Sequence, residues 1–88
     1  MAAVGGASAT LSGHSSAVRA LAYIPDQRLL ASGSWDRSVK LWTVDGARSS
    51  LLTTLSGHSS YVRALAYIPD QRLLASGSGD RSVKLWTV

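Results

Sequence analysis

From Ala17 onward the chain runs in short stretches of alternating apolar and polar residues, broken by turn-forming clusters. That two-residue period is the pattern of β-strands and not of helices. The segments Ala17 to Ile24, Leu29 to Ser34 and Val39 to Val44 are rich in β-branched or aromatic residues. In the last of them Val39, Leu41 and Thr43 alternate with Ser38, Lys40 and Trp42, which predicts a strand with two different faces. Between the first two, Pro25-Asp26-Gln27 supplies a turn whose φ is preset by proline, and the stretch from Gly33 to Ser38 offers Ser and Asp side chains that can bond their own backbone. On this pattern Gly33 and Gly77, each in Ser-Gly-Ser at a strand end, read as turn glycines. A further strand is expected ahead of each Ser-Gly-His, at Leu51 to Leu55 and, with weaker patterning, at Ala7 to Leu11.

The same pattern occurs twice. Thr10 to Val44 and Thr54 to Val88 are identical except at two places, Ala17 against Tyr61 and Trp35 against Gly79. Identity this close between adjacent repeats implies recent duplication or construction, or excision from a longer array, since drift would have scattered changes over the surface. Residues 1–6, rich in Ala and Gly, match nothing in the second repeat and read as a flexible leader. The expected organisation is therefore a leader at 1–6, one repeat over 7–44 and a second over 45–88. Four strands per repeat of this length is the arithmetic of a propeller blade, a four-stranded antiparallel sheet in an all-β ring.

The residues that recur are those of a known family. Leu11-Ser12-Gly13-His14, Val18, Leu21, Ile24-Pro25-Asp26, Leu30-Ala31-Ser32-Gly33-Ser34, Asp36 and Val39-Lys40-Leu41-Trp42 resemble the WD-repeat β-propellers, over residues 7–88. The chain departs from the pattern where that name originates, with Trp42-Thr43 and Trp86-Thr87 in place of Trp-Asp. The resemblance implies a hydrogen-bonded tetrad in each blade: His14, Ser32, Asp36 and Trp42 in one, His58, Ser76, Asp80 and Trp86 in the other. The donor and acceptor types suit such a closed set. An indole N–H only donates, a hydroxyl does both, a neutral imidazole does one at each nitrogen, and a carboxylate only accepts.

Ser, His and Asp are also the residue types of a hydrolytic triad. A constellation repeated in both blades, with a Trp occupying the hydroxyl and no oxyanion hole suggested, argues for structure over catalysis, so no catalytic residues are expected. Two histidines without Cys or Glu make no convincing metal site, and no lysine follows the glycines at phosphate-loop spacing, so no metal or cofactor is expected.

Composition narrows the classes further. The 88 residues contain no cysteine, which removes disulfides as a staple, and no apolar run approaches a membrane span. Residues 1–6 lack the basic and apolar regions of a signal peptide, so a cytoplasmic setting is expected unless the chain is artificial. Nine Lys and Arg against five Asp give a net charge of +4. A nucleic-acid binder would use Arg19, Arg28, Arg37, Lys40 and Arg48 with their repeats, but these are spread evenly around the blade, so specific nucleic-acid binding is not expected.

Two blades standing alone leave apolar faces in water, and the strand order sharpens the point. Reading outer strand, three inner, outer, three inner, the last blade is left without its outer strand, and Ala7 to Leu11 is available to complete it in a neighbouring chain. The expectation is self-assembly into a ring with an even number of blades, a homotetramer with eight ahead of a homotrimer with six. In the resembled family the propeller is a scaffold whose partners dock on one face. That implies binding candidates at Ser15, Ala17 and Trp35 and at Ser59, Tyr61 and Gly79, with a protein or peptide as partner. A glycan stacking on Trp35, or a basic nucleic-acid-binding module, is the alternative.

Overall fold

The computed structural model describes residues 5–88, and every regular element among them is a β-strand. Seven follow in order: β1 (Val18–Ile24), β2 (Leu29–Ser34), β3 (Ser38–Thr43), β4 (Ser50–Ser56), β5 (Val62–Ile68), β6 (Leu73–Ser78) and β7 (Val83–Thr87). The third strand of the first repeat starts one residue earlier than its hydrophobic pattern suggests, because Ser38 pairs with Ser56 at the edge.

Strand order in space follows strand order in sequence. Strands β1 to β4 form one antiparallel sheet and β5 to β7 a second, so the all-β, blade-like architecture expected from the alternation is present. The four-stranded sheet spans residues 18–56 and so draws its last strand from the second repeat. Ala7 to Leu11, the sequence counterpart of β4, forms no strand. The reason is pairing: β4 is held by β3, whereas Ala7 to Leu11 is paired with no strand of this chain.

The two sheets pack face to face, with β5 against β1 and β2. Their shared core is Ile24, Leu29, Ala31, Val39 and Leu41 from the first sheet with Val62 and Leu74 from the second. Gly33 belongs to this packing and not to a turn. It lies inside β2, paired to Ala20 and Val39, and a Cβ built on it would stand 2.5 Å from Val62 Cγ1. Only a residue without a side chain lets the second sheet come this close. Gly77, also within its strand, has nothing within 4 Å of a Cβ.

Polar bridges fix the seam at its lower end. The Tyr67 hydroxyl donates to Asp26 Oδ1 at 2.8 Å, and Gln27 Nε2 donates to the Val88 carbonyl at 2.7 Å. At the other end the β2–β3 and β6–β7 turns close through Arg37 (φ 76°) and Arg81 (φ 72°), whose amides bond the Ser34 and Ser78 carbonyls.

Candidate functional site

Each repeat builds the same polar chain from the loop before its first strand, its second strand, the following turn and its third strand. Trp42 Nε1 donates to Ser32 Oγ at 2.8 Å, and Ser32 Oγ meets His14 Nε2 at 2.6 Å. The Asp36 carboxylate can only accept, so the imidazole carries a proton on Nδ1 and donates it to Asp36 Oδ2 at 2.8 Å, which in the neutral ring leaves Nε2 to accept from the Ser32 hydroxyl. The second set repeats this: Trp86 to Ser76 at 2.8 Å, Ser76 to His58 at 2.7 Å, and His58 to Asp80 at 2.9 Å. The Trp rings lie edge-on to the imidazoles, with centroids 6.2 and 6.3 Å apart. The eight residues proposed for the tetrads are thus brought together four by four.

The pattern in the sequence omitted one member of each set. Ser38 Oγ donates to Asp36 Oδ1 at 2.6 Å and its amide to the same atom at 2.9 Å, and Ser82 does the same for Asp80. An Asp followed two residues later by Ser is the available signal, since that spacing closes a side-chain turn over the backbone. The amides of Ser15 and Ser59 complete the set, each 3.1 Å from the other carboxylate oxygen.

These donors set the ionisation of the carboxylates. For Asp36 burial is the largest influence and opposes charge, yet the Ser38 hydroxyl, His14 and the Ser38 and Ser15 amides outweigh it and hold the carboxyl far below its ordinary value. For Asp80 the Ser82 hydroxyl leads, followed by His58, with the same direction. A carboxylate held in the charged form by four donors and a serine whose hydroxyl already holds an indole leave neither a free nucleophile nor a poised base. Among the described residues no group of three or more His, Asp or Glu converges as a metal site.

The other candidates fall at the end of the sheets that carries the β2–β3 turn. The Trp35 amide bonds the Ala17 carbonyl at 3.0 Å, and the Gly79 amide bonds the Tyr61 carbonyl at 2.9 Å, so the two variable positions of each repeat are neighbours. Trp35 and Tyr61 then meet across the seam, with ring centroids 5.5 Å apart and planes inclined by 35°. Ser15 and Ser59 are exposed beside them.

Sequence comparison agrees with this geometry. The profile of the family described as WD domain, G-beta repeat, matches residues 5–43 and again 49–87. Among characterised relatives, the chain is 48% identical over 42 residues to the Ribosome biogenesis protein WDR12 homolog of Oryza sativa subsp. japonica, covering 48% of this chain and 10% of that protein. It is 59% identical over 39 residues to Protein Mut11 of Chlamydomonas reinhardtii, covering 43% of this chain and 10% of the relative. With the Periodic tryptophan protein 2 homolog of Neurospora crassa it shares 50% over 34 residues, 39% of this chain and 4% of the other. The chain thus spans a small part of these relatives. Among solved structures, the crystal structure of the computationally designed Ika4 protein superposes with a TM-score of 0.78 at 33% identity, over 97% of this chain and 49% of that one.

Proposed function

The chain belongs to the WD-repeat family, and from that premise we propose that its activity is to assemble with copies of itself into a closed β-propeller scaffold, with a protein- or peptide-docking face and no catalysis. The observation that carries this reading is a mismatch in burial between residues of identical type and identical place in their repeats. Val62 is fully buried while Val18 is 50% exposed; Val39 and Leu41 are buried at 0% and 3% while Val83 and Leu85 are 71% and 58% exposed.

The exposed halves are complementary. Val18, Leu21 and Tyr23 present on the first sheet the face that Val62, Leu65 and Tyr67 bury on the second, and Val83, Leu85 and Gly77 present what Val39, Leu41 and Gly33 bury. The seam seen inside the chain is therefore a template for a seam between chains, and a second copy is the surface that fits it without change. Fully burying one Val or Leu side chain stabilises by about 1.5–3 kcal/mol, so a set of four per seam is a strong drive to associate. The polar bridges have counterparts as well: Tyr23 of one copy would donate to Asp70 of the next, as Tyr67 does to Asp26.

The free edge of β7 extends the same logic. Residues 6–12 occupy the place in the first repeat that β4 occupies in the second, so pairing with the β7 of a neighbour would set Leu11 opposite Val83 and Thr10 opposite Lys84, as Leu55 lies opposite Val39 and Thr54 opposite Lys40. Because every contact of this kind is head-to-tail, the assembly closes only as a ring of whole chains. Four copies with eight blades is the preferred ring, three copies with six the next. On its upper face, Ser15, Ala17, Trp35, Ser59, Tyr61 and Gly79 are the positions offered to a protein or peptide, with Trp35 and Tyr61 as the aromatic anchors.

The deciding experiment is the absolute mass of the 88-residue chain in solution by native mass spectrometry. Four times 9.2 kDa supports the eight-bladed ring and three times the six-bladed one. A compact folded monomer overturns the assembly.

A further inference from the structure

We propose that the seam between the two sheets holds a binding site for a small polyvalent oxyanion of the phosphate class, gripped by Arg19 and Arg63 and walled by Trp35. The three side chains line one cavity of about 140 Å³ at the end of the sheets bearing the β2–β3 turn.

The backbone aims both arginines there. In β1, Val18 pairs with Ser34 but Ala20 with Gly33, so Arg19 is the extra residue of a β-bulge; in β5 the same shift falls between Val62 and Ala64 and makes Arg63 the extra residue. A bulge releases one residue from the pleat and redirects its side chain, and here it does so twice on the two strands that face each other across the seam. The Arg19 guanidinium then lies 4.8 Å from the Trp35 ring centroid, a cation–π contact that holds it in place before any ligand arrives.

Neither guanidinium is neutralised. Among the described residues the ion pairs are His14 with Asp36 and His58 with Asp80, and both carboxylates are already engaged by Ser hydroxyls and amides. Two like charges directed into one small cavity repel each other, and an anion placed between them converts that repulsion into two attractions. A planar guanidinium with several N–H donors suits oxygens spread over a tetrahedral or bridged phosphate, and two of them suit more than one negative charge. The site lies inside a single chain, so it goes beyond the assembly reading and does not depend on the number of copies.

Titration calorimetry with inorganic pyrophosphate at low ionic strength tests the site. The expected result is saturable binding of one pyrophosphate per chain, weakened as salt is raised. R19Q and R63Q should each weaken it about tenfold, the loss of a charged contact, while R48Q, which removes a distant exposed arginine, leaves it unchanged. R19K keeps the charge and should recover part of the affinity, and W35L should weaken binding without changing the stoichiometry. Wild-type protein without saturable binding, equal losses in R48Q and R19Q, or a ratio of one pyrophosphate per whole assembly overturns the proposal.

Discussion

Trp35 and Tyr61, which stand at the two positions where the repeats differ, pack on each other across the seam at 5.5 Å between ring centroids. Each aromatic is paired within its own repeat with a small residue, Ala17 beside Trp35 and Gly79 beside Tyr61. The two differences between repeats are thus one coupled feature: two large residues meet inside the chain, and the two small ones remain at its outer faces. Both rings stay partly open, at 42% and 48% exposure. A double-mutant cycle with Trp35→Ala and Tyr61→Ala, read by urea unfolding, should give a coupling of about 0.5–1.5 kcal/mol. Strictly additive losses would show that the rings contribute separately.

Loss of a tetrad hydroxyl should be costly out of proportion to its size. In Ser32→Ala the Trp42 indole and His14 Nε2 lose their shared partner inside a site where Trp42 and Ser32 are buried, and each stranded group costs about 1–3 kcal/mol. Ser76→Ala should behave alike. Ser15→Ala is the contrast, because Asp36 is held by the Ser15 amide and not by its hydroxyl, and its cost should stay within about 0.5 kcal/mol. Equal losses in Ser32→Ala and Ser15→Ala would deny the tetrad its structural role.

The sequence announced the strands well and their packing unevenly. Alternation such as Val39, Leu41 and Thr43 against Lys40 and Trp42 survives in one chain because each strand has two faces in different surroundings. The tetrad residues were legible through the family resemblance that their motifs carry, and their donor and acceptor types suit the closed set which that resemblance implies. Gly33 was misread for a physical reason: in a single sequence a glycine needed for close approach is indistinguishable from one needed for a turn, and the difference lies in Val62, 29 positions away. The turns hid their geometry too, since Arg37 and Arg81 adopt positive φ that their residue type does not signal. The contact of Trp35 with Tyr61 was not readable because it depends on how two sheets are placed, which no local pattern encodes.

Acid should destabilise the chain through Asp36 and Asp80. Both carboxyls are held below their ordinary value in the folded state, so the associated stability is complete above the unfolded value of about 3.9 and is lost as pH falls from there through the folded values. Removing a donor raises the folded value, reduces this stabilisation and makes acid unfolding begin at higher pH. Ser38→Ala and Ser82→Ala should show that displacement in circular dichroism followed against pH, and Ser50→Ala, whose hydroxyl bonds Thr43 on the surface, should not. An unmoved acid limb in Ser38→Ala would mean that the hydroxyl does not hold Asp36 ionised.

The most direct discrimination between an isolated chain and an assembled one comes from the paired glycines. In Gly33→Ala the new methyl would collide with Val62 at 2.5 Å, and overpacking of a core costs about 1–3 kcal/mol, so the chain should be destabilised at any concentration. In Gly77→Ala the methyl meets nothing within 4 Å in the single chain, and stability should be unchanged if the chain acts alone. If copies join through the seam already seen between the two sheets, Gly77 faces Val18 of the next copy as Gly33 faces Val62, and the same methyl must disrupt a contact that one chain does not contain. Gly77→Ala should then lower the mass measured at low concentration, with strand content retained, while Gly33→Ala weakens the fold itself. A Gly77→Ala chain that keeps both the wild-type mass and the wild-type resistance to dilution would place any association elsewhere than on this face.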